Sequence, residues 1–145
     1  MRKLILAPIV IAMLAGPAGA APLASPGVIN NWPDLRAAFV KCWTVPEGTE
    51  GSLVSFAFLL DRDGRLRGPP RIQGRVLKGS QEAQQKFLAS AYGTLEHCLP
   101  VAISPSFRAS MGETLVNLRL VNTPREPSRN LGAWMSIFAE ETKPR

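Results

Sequence analysis

Residues 54–72, Val54-Ser-Phe-Ala-Phe-Leu-Leu-Asp-Arg-Asp-Gly-Arg-Leu-Arg-Gly-Pro-Pro-Arg-Ile72, decide how the chain is built. In the run Leu53 to Leu60, Val54, Phe56, Phe58 and Leu60 share one face, and Leu53, Ser55, Ala57 and Leu59 share the other. Both faces are fairly apolar, which predicts a central strand. Asp61-Arg-Asp-Gly64 carries turn chemistry, with Asp63-Gly64 able to supply the positive φ of a tight hairpin. The return arm, Arg65 to Ile72, alternates Leu66, Gly68, Pro70 and Ile72 against Arg65, Arg67, Pro69 and Arg71. Proline has no amide to give a ladder, so Pro69 and Pro70 confine this arm to the border of the sheet or end its pairing. Together with the arginines they keep that border from recruiting stray strands.

Helical periodicity lies on either side of the hairpin. Asn30 and Asn31 can accept from free amides at a helix start, and Pro33 suits the first turn. Trp32, Leu35, Phe39, Cys42 and Trp43 then recur at helical spacing up to Pro46. After the hairpin, Ser80 is placed to cap a second helix with Ala83, Phe87, Leu88, Ala91, Leu95, Cys98 and Leu99 on one stripe, ended by Pro100. Ser104 to Gly112 reads as a loop. Glu113 to Val121 alternates again, with Val116, Leu118 and Leu120 inward and Leu115, Asn117 and Arg119 outward. The order helix, hairpin, helix, strand predicts an α+β fold, a three-stranded antiparallel sheet with two helices packed on one face. Thr114 to Val121 is then the edge opposite the prolines. Past Pro124, the residues Leu131, Trp134, Met135 and Phe138 fit one helical face, either a short C-terminal helix docked on the domain or a partner-binding segment.

The chain opens with Arg2 and Lys3, an apolar run from Leu4 to Leu14, and Ala18-Gly-Ala20. This is the pattern of a secretory signal over residues 1–20, with an uncleaved anchor as the alternative. The run is too short to cross a bilayer, which takes about 20 apolar residues, and no later segment qualifies. Cleavage after Ala20 leaves 145 − 20 = 125 residues, enough for one domain. Residues 21–29 read as a flexible leader, 30–122 as the domain and 123–145 as a tail. Without Arg2 and Lys3, 15 basic residues stand against 11 acidic ones, a mild +4. Two cysteines, Cys42 and Cys98, in a chain sent to an oxidising compartment point to one bridge, with two reduced buried thiols as the alternative. Both sit at the ends of helical stripes, so two helices on one face of the sheet bring their last turns within bridging distance.

The chemistry of catalysis is sparse. His97 is the one histidine, and its neighbour Cys98 points elsewhere on the helix, so the pair is no nucleophile and base. Asp61 and Asp63 suit a turn, and the cations after Gly64 stand where a calcium loop needs oxygen donors. No zinc pattern, P-loop or dinucleotide fingerprint occurs, so no enzyme activity, metal or cofactor is expected. Arg62, Arg65, Arg67, Arg71, Arg75 and Lys78 are the densest positive run. They read as an anion-binding surface for lipid or an acidic glycan, or as the solvated face of an edge strand. With no interleaved aromatics, nucleic acid is not the expected ligand.

Cys42-Trp-Thr-Val-Pro46, the hairpin Val54 to Ile72, the helix closing on Cys98-Leu-Pro100 and the last strand together resemble the C-terminal domain of TolA and, more distantly, of TonB. The resemblance covers about residues 31 to 121. It implies a periplasmic, non-enzymatic interaction domain whose sheet edge is used by envelope proteins, and a disulfide between positions like Cys42 and Cys98. The membrane anchor and long stalk of those proteins have no counterpart among these residues, which favours an adaptor over an energy transducer. The expected mode is addition of a partner strand to Thr114, Leu115, Val116, Asn117, Leu118, Arg119, Leu120 and Val121. The alternative is that the tail, Leu131 to Phe138, covers this strand. Binding of anionic envelope surfaces through Arg62 to Lys78 is the second reading.

Overall fold

A computed structural model describes residues 27–128 and 130–142. The predicted secretory segment and most of the leader lie outside these residues. The elements are α1 (Trp32–Cys42), β1 (Leu53–Leu60), β2 (Leu66–Val76), α2 (Gln81–Cys98), α3 (Pro105–Met111), β3 (Thr114–Val121), β4 (Trp134–Phe138) and α4 (Ala139–Thr142).

Helix α1 starts where Asn31 accepts from the Asp34 amide at 2.8 Å, and it buries Leu35, Ala38 and Phe39. Ser80 caps α2 by accepting from the Ala83 amide at 3.1 Å. Each such cap satisfies a donor that the helix leaves without a partner, worth about 1 kcal/mol. The buried stripe of α2 is Phe87, Ala91, Thr94, Leu95 and Cys98. Both helices cover the face of β1 that carries Val54, Phe56, Phe58 and Leu60. Phe39 meets Phe58 edge-on at 6.3 Å, and Tyr92 meets Phe56 at 5.1 Å. Phe39, Phe56 and Phe58 are taken out of water and contribute roughly 1.5–3 kcal/mol each.

The hairpin turn is held by Asp61, whose carboxylate accepts from the Asp63 and Arg65 amides, both at 2.9 Å. Gly64 has φ +73°, and any Cβ there would collide with the Val101 carbonyl, so glycine is required. Strand β2 breaks its pairing at Gly68 to Pro70, resumes it at Arg71 and carries it on to Val76, beyond the arm expected to end at Ile72. It does so by bulging. Gly68, Pro69 and Pro70 lie opposite Phe58, and Gln73 is the extra residue opposite the step from Ser55 to Phe56.

The α+β class holds, but the sheet has four strands in the order β2-β1-β3-β4, with β4 parallel to β3. Two expectations about the tail are therefore corrected. Residues 134–138, expected in a helix, form a strand whose Met135 and Ile137 enter the core while Phe138 is also buried, and the short helix comes after it at α4. Strand Thr114 to Val121 is not a free edge along its whole length, because from Asn117 onward it is an inner strand paired with β4. The predicted loop 104–112 also contains α3, capped by Ser104 and opened by Pro105. The leader is anchored at its end, because Ile29 is buried and bonded on both sides of Ile103 through the Ala102 carbonyl and Ser104 amide.

Candidate interaction surface

Cys42 and Cys98 form a disulfide that joins the last turns of α1 and α2, with Cα atoms 5.8 Å apart. On the chain-entropy view a loop of this length stabilises the fold by about 4 kcal/mol. The bridge is structural in its setting, with Cys98 buried in the core.

The expected edge residues are placed as follows. Val116, Asn117, Leu118, Leu120 and Val121 are buried, Thr114 and Arg119 are half-buried, and Leu115 is exposed. From Asn117 onward β4 pairs with the side of β3 away from β1, and the Asn117 amide donates to the Ala133 carbonyl at 2.9 Å. Along Asn117 to Val121 a partner strand cannot add without displacing β4, which corrects the expected partner edge there, whereas Thr114 to Val116 have no β4 partner.

The new rim, β4, is itself closed. Trp134 and Leu131 exchange main-chain bonds in a turn, at 3.0 and 2.9 Å. The Ser136 amide donates to the Asn130 side chain at 2.7 Å, and the Ser136 carbonyl accepts from Arg36 Nε at 3.2 Å and Nη2 at 2.8 Å. The Phe138 amide donates to Glu141 Oε2 at 2.9 Å, and Arg36 Nη2 donates to both Glu141 oxygens at 2.7 Å. Burial by itself raises the Glu141 pKa. The hydrogen bonds from Arg36 and Phe138 and the charges of Arg36 and Arg125 outweigh it and hold the carboxyl below its ordinary value of 4.5. Nothing local in the sequence marks Arg36, Asn130 and Glu141 as partners of one strand.

The opposite rim differs. Among the described residues, the main chain of β2 makes no hydrogen bond beyond its ladder to β1. Prolines occupy only positions 69 and 70, which leaves Arg71 to Val76 as an exposed stretch of edge with its donors intact.

The predicted cationic run does not form one surface. Arg62 and Arg65 are exposed at the hairpin turn. Arg67 and Arg71 pair with Leu59 and Ala57 and so lie on the face away from the helices. Arg75 pairs with Val54 and stands on the helix side, beside Leu77, Gln81 and Leu88. Lys78 follows the strand, its amide donating to the Ser52 hydroxyl at 2.9 Å. Among the described residues no group of three or more His, Cys, Asp or Glu is placed to hold a metal, and no helix is long and apolar enough to cross a membrane.

The family model of uncharacterised conserved protein UCP034077 matches residues 25–124, ending before β4. No curated protein and no solved structure matches the chain.

Proposed function

The chain belongs to the family of that model, and from its geometry we propose that it is a periplasmic, non-enzymatic protein-interaction module of the cell envelope, binding a partner strand along Arg71 to Val76 of β2. One observation carries this reading: the main chain of this stretch is left open while the far rim of the same sheet is closed by its own side chains. Main-chain hydrogen bonds to an added strand would supply affinity, and the side chains flanking it would supply selectivity. The prolines act as a stop. Pro69 and Pro70 cannot donate, so an incoming strand is restricted to the residues after them.

The α+β architecture and the Cys42–Cys98 bridge support the resemblance to the C-terminal domains of TolA and TonB, and β4 lies beyond the residues that carry it. The expected partners are envelope proteins. No substrate, metal or cofactor enters this mode of action.

The reading is tested by placing a photo-activated cross-linking residue at Gln73, and separately at Ala89 on α2, in the cells that make the protein. Capture from Gln73 alone, with new hydrogen-exchange protection of the 71–76 amides in the captured complex, is expected. Capture only from Ala89, or protection confined to the helices, would remove strand addition at β2.

A further inference from the structure

The strand registers lay out the helix-free face of the sheet in rows. Arg67, Leu59 and Leu115 form one row, Arg71, Ala57, Asn117 and Trp134 the next, and Gly74, Ser55, Arg119 and Ser136 the third. Four large apolar side chains of this face are open to solvent: Trp134 at 64%, Leu115 at 51%, Val76 at 44% and Leu59 at 38%. A groove of about 640 Å³ runs over Ala57 and Leu59 between Arg67, Arg71 and Leu115. At the start of β4, Leu131 is 78% exposed in the turn that leads into Trp134.

The charge on this face is of one sign. All 11 carboxylates of the chain lie outside the four strands, the nearest being Asp61, Asp63 and Glu113 in the loops at the Leu59–Leu115 end. Asp61 is occupied by the turn amides and Asp63 by Arg108 at 3.5 Å. Arg67, Arg71 and Arg119 make no ion pair among the described residues.

We propose that this face docks on an anionic phospholipid bilayer. Inward of the β2 rim, the main-chain groups of this face are bonded within the sheet, so hydrocarbon can cover it there without stranding a donor or acceptor. Leu59, Leu115 and Trp134 enter the headgroup boundary, where tryptophan is favoured, and the arginines meet phosphates. The three arginines stand in separate rows instead of converging on one point. That spacing fits a surface of many phosphates better than a single bound anion. This surface shares Arg71 and Val76 with the β2 rim but uses their side chains and not their main chain, and it does not rest on strand addition there.

The test uses vesicles of phosphatidylcholine with and without phosphatidylglycerol. Of the three tryptophans, Trp43 is buried and Trp32 half-buried, so a blue shift of emission on binding reports Trp134. Co-sedimentation that grows with the phosphatidylglycerol fraction, weakens with salt and carries that shift is expected. Arg67→Ala with Arg71→Ala should weaken it about thirtyfold, from roughly fivefold per arginine near a charged surface. Leu115→Ser should weaken it as well, while Arg62→Ala with Lys78→Ala should leave it within about fivefold. Each variant changes an exposed residue, and circular dichroism checks its fold. Absence of vesicle binding, binding without the Trp134 shift, or equal sensitivity to the Arg62 and Lys78 pair would overturn the proposal. Binding of polyglutamate in place of vesicles would overturn it too and assign the face to an acidic protein.

Discussion

The two rims of the sheet solve the same problem in opposite ways. At β4 the outward main-chain groups are consumed one by one, by Leu131, Asn130, Arg36 and Glu141. At β2 the first half is deprived of donors by Pro69 and Pro70, and the second half is left open. Closing a rim with a charged side chain has a cost. Arg36 and Glu141 are each largely removed from water, and they are tolerable there because each satisfies the other. The chain spends that desolvation at one rim and not at the other, which is the asymmetry expected if only one rim is to receive a guest.

The largest test asks whether β4 is core or an overlay. Ile137 is fully buried, so Ile137→Ala should destabilise the protein by about 3 kcal/mol in urea unfolding. A loss below about 1 kcal/mol would make β4 a dispensable cover and reopen β3 as an edge. Next, Arg36→Met leaves the Ser136 carbonyl without its side-chain donor and the largely buried Glu141 carboxylate without its nearest cation. About 2 kcal/mol should be lost, with faster hydrogen exchange at the Ser136 and Phe138 amides and none at 71–76. Equal acceleration on both rims would erase the distinction between them.

Acid gives a smaller and reversible version of the same test. The folded pKa of Glu141 lies below its ordinary value, so its stabilising contribution is complete above 4.5 and is lost as pH falls through the lower folded value. Protection at β4 should fade in that window, and Glu141→Gln should flatten the dependence. The smallest effect concerns β2. Pro69→Ala with Pro70→Ala should change stability by no more than about 1 kcal/mol while raising self-association in sedimentation, because the rim is then open along its whole length.

The parts legible in the sequence are those set by neighbouring residues. The turn at Asp61 to Gly64, the caps Asn31 and Ser80, and the stripes ending in Cys42 and Cys98 are all local chemistry, and all are present. Strand β4 was hidden for two reasons. Trp134-Met-Ser-Ile-Phe138 is short and buried on both faces at its end, so its alternation is blurred. Its placement also depends on a parallel pairing and on Arg36, which is 100 residues away from Ser136. The basic run divides between the two faces for a different reason. Without the bulge at Gln73, Arg71 and Arg75 would share a face. One extra residue sends Arg75 to the helix side, while Arg119, from a distant strand, joins Arg67 and Arg71.

The Cys42–Cys98 bridge closes a covalent ring that contains the entire β1–β2 hairpin and excludes β3 and β4. Tension applied to β2 by a tethered partner would therefore be borne by chemical bonds once the slack of that ring is taken up. Unravelling from the hairpin side stops at the sulfurs, whereas the carboxyl-terminal strands have only weak forces to keep them in place.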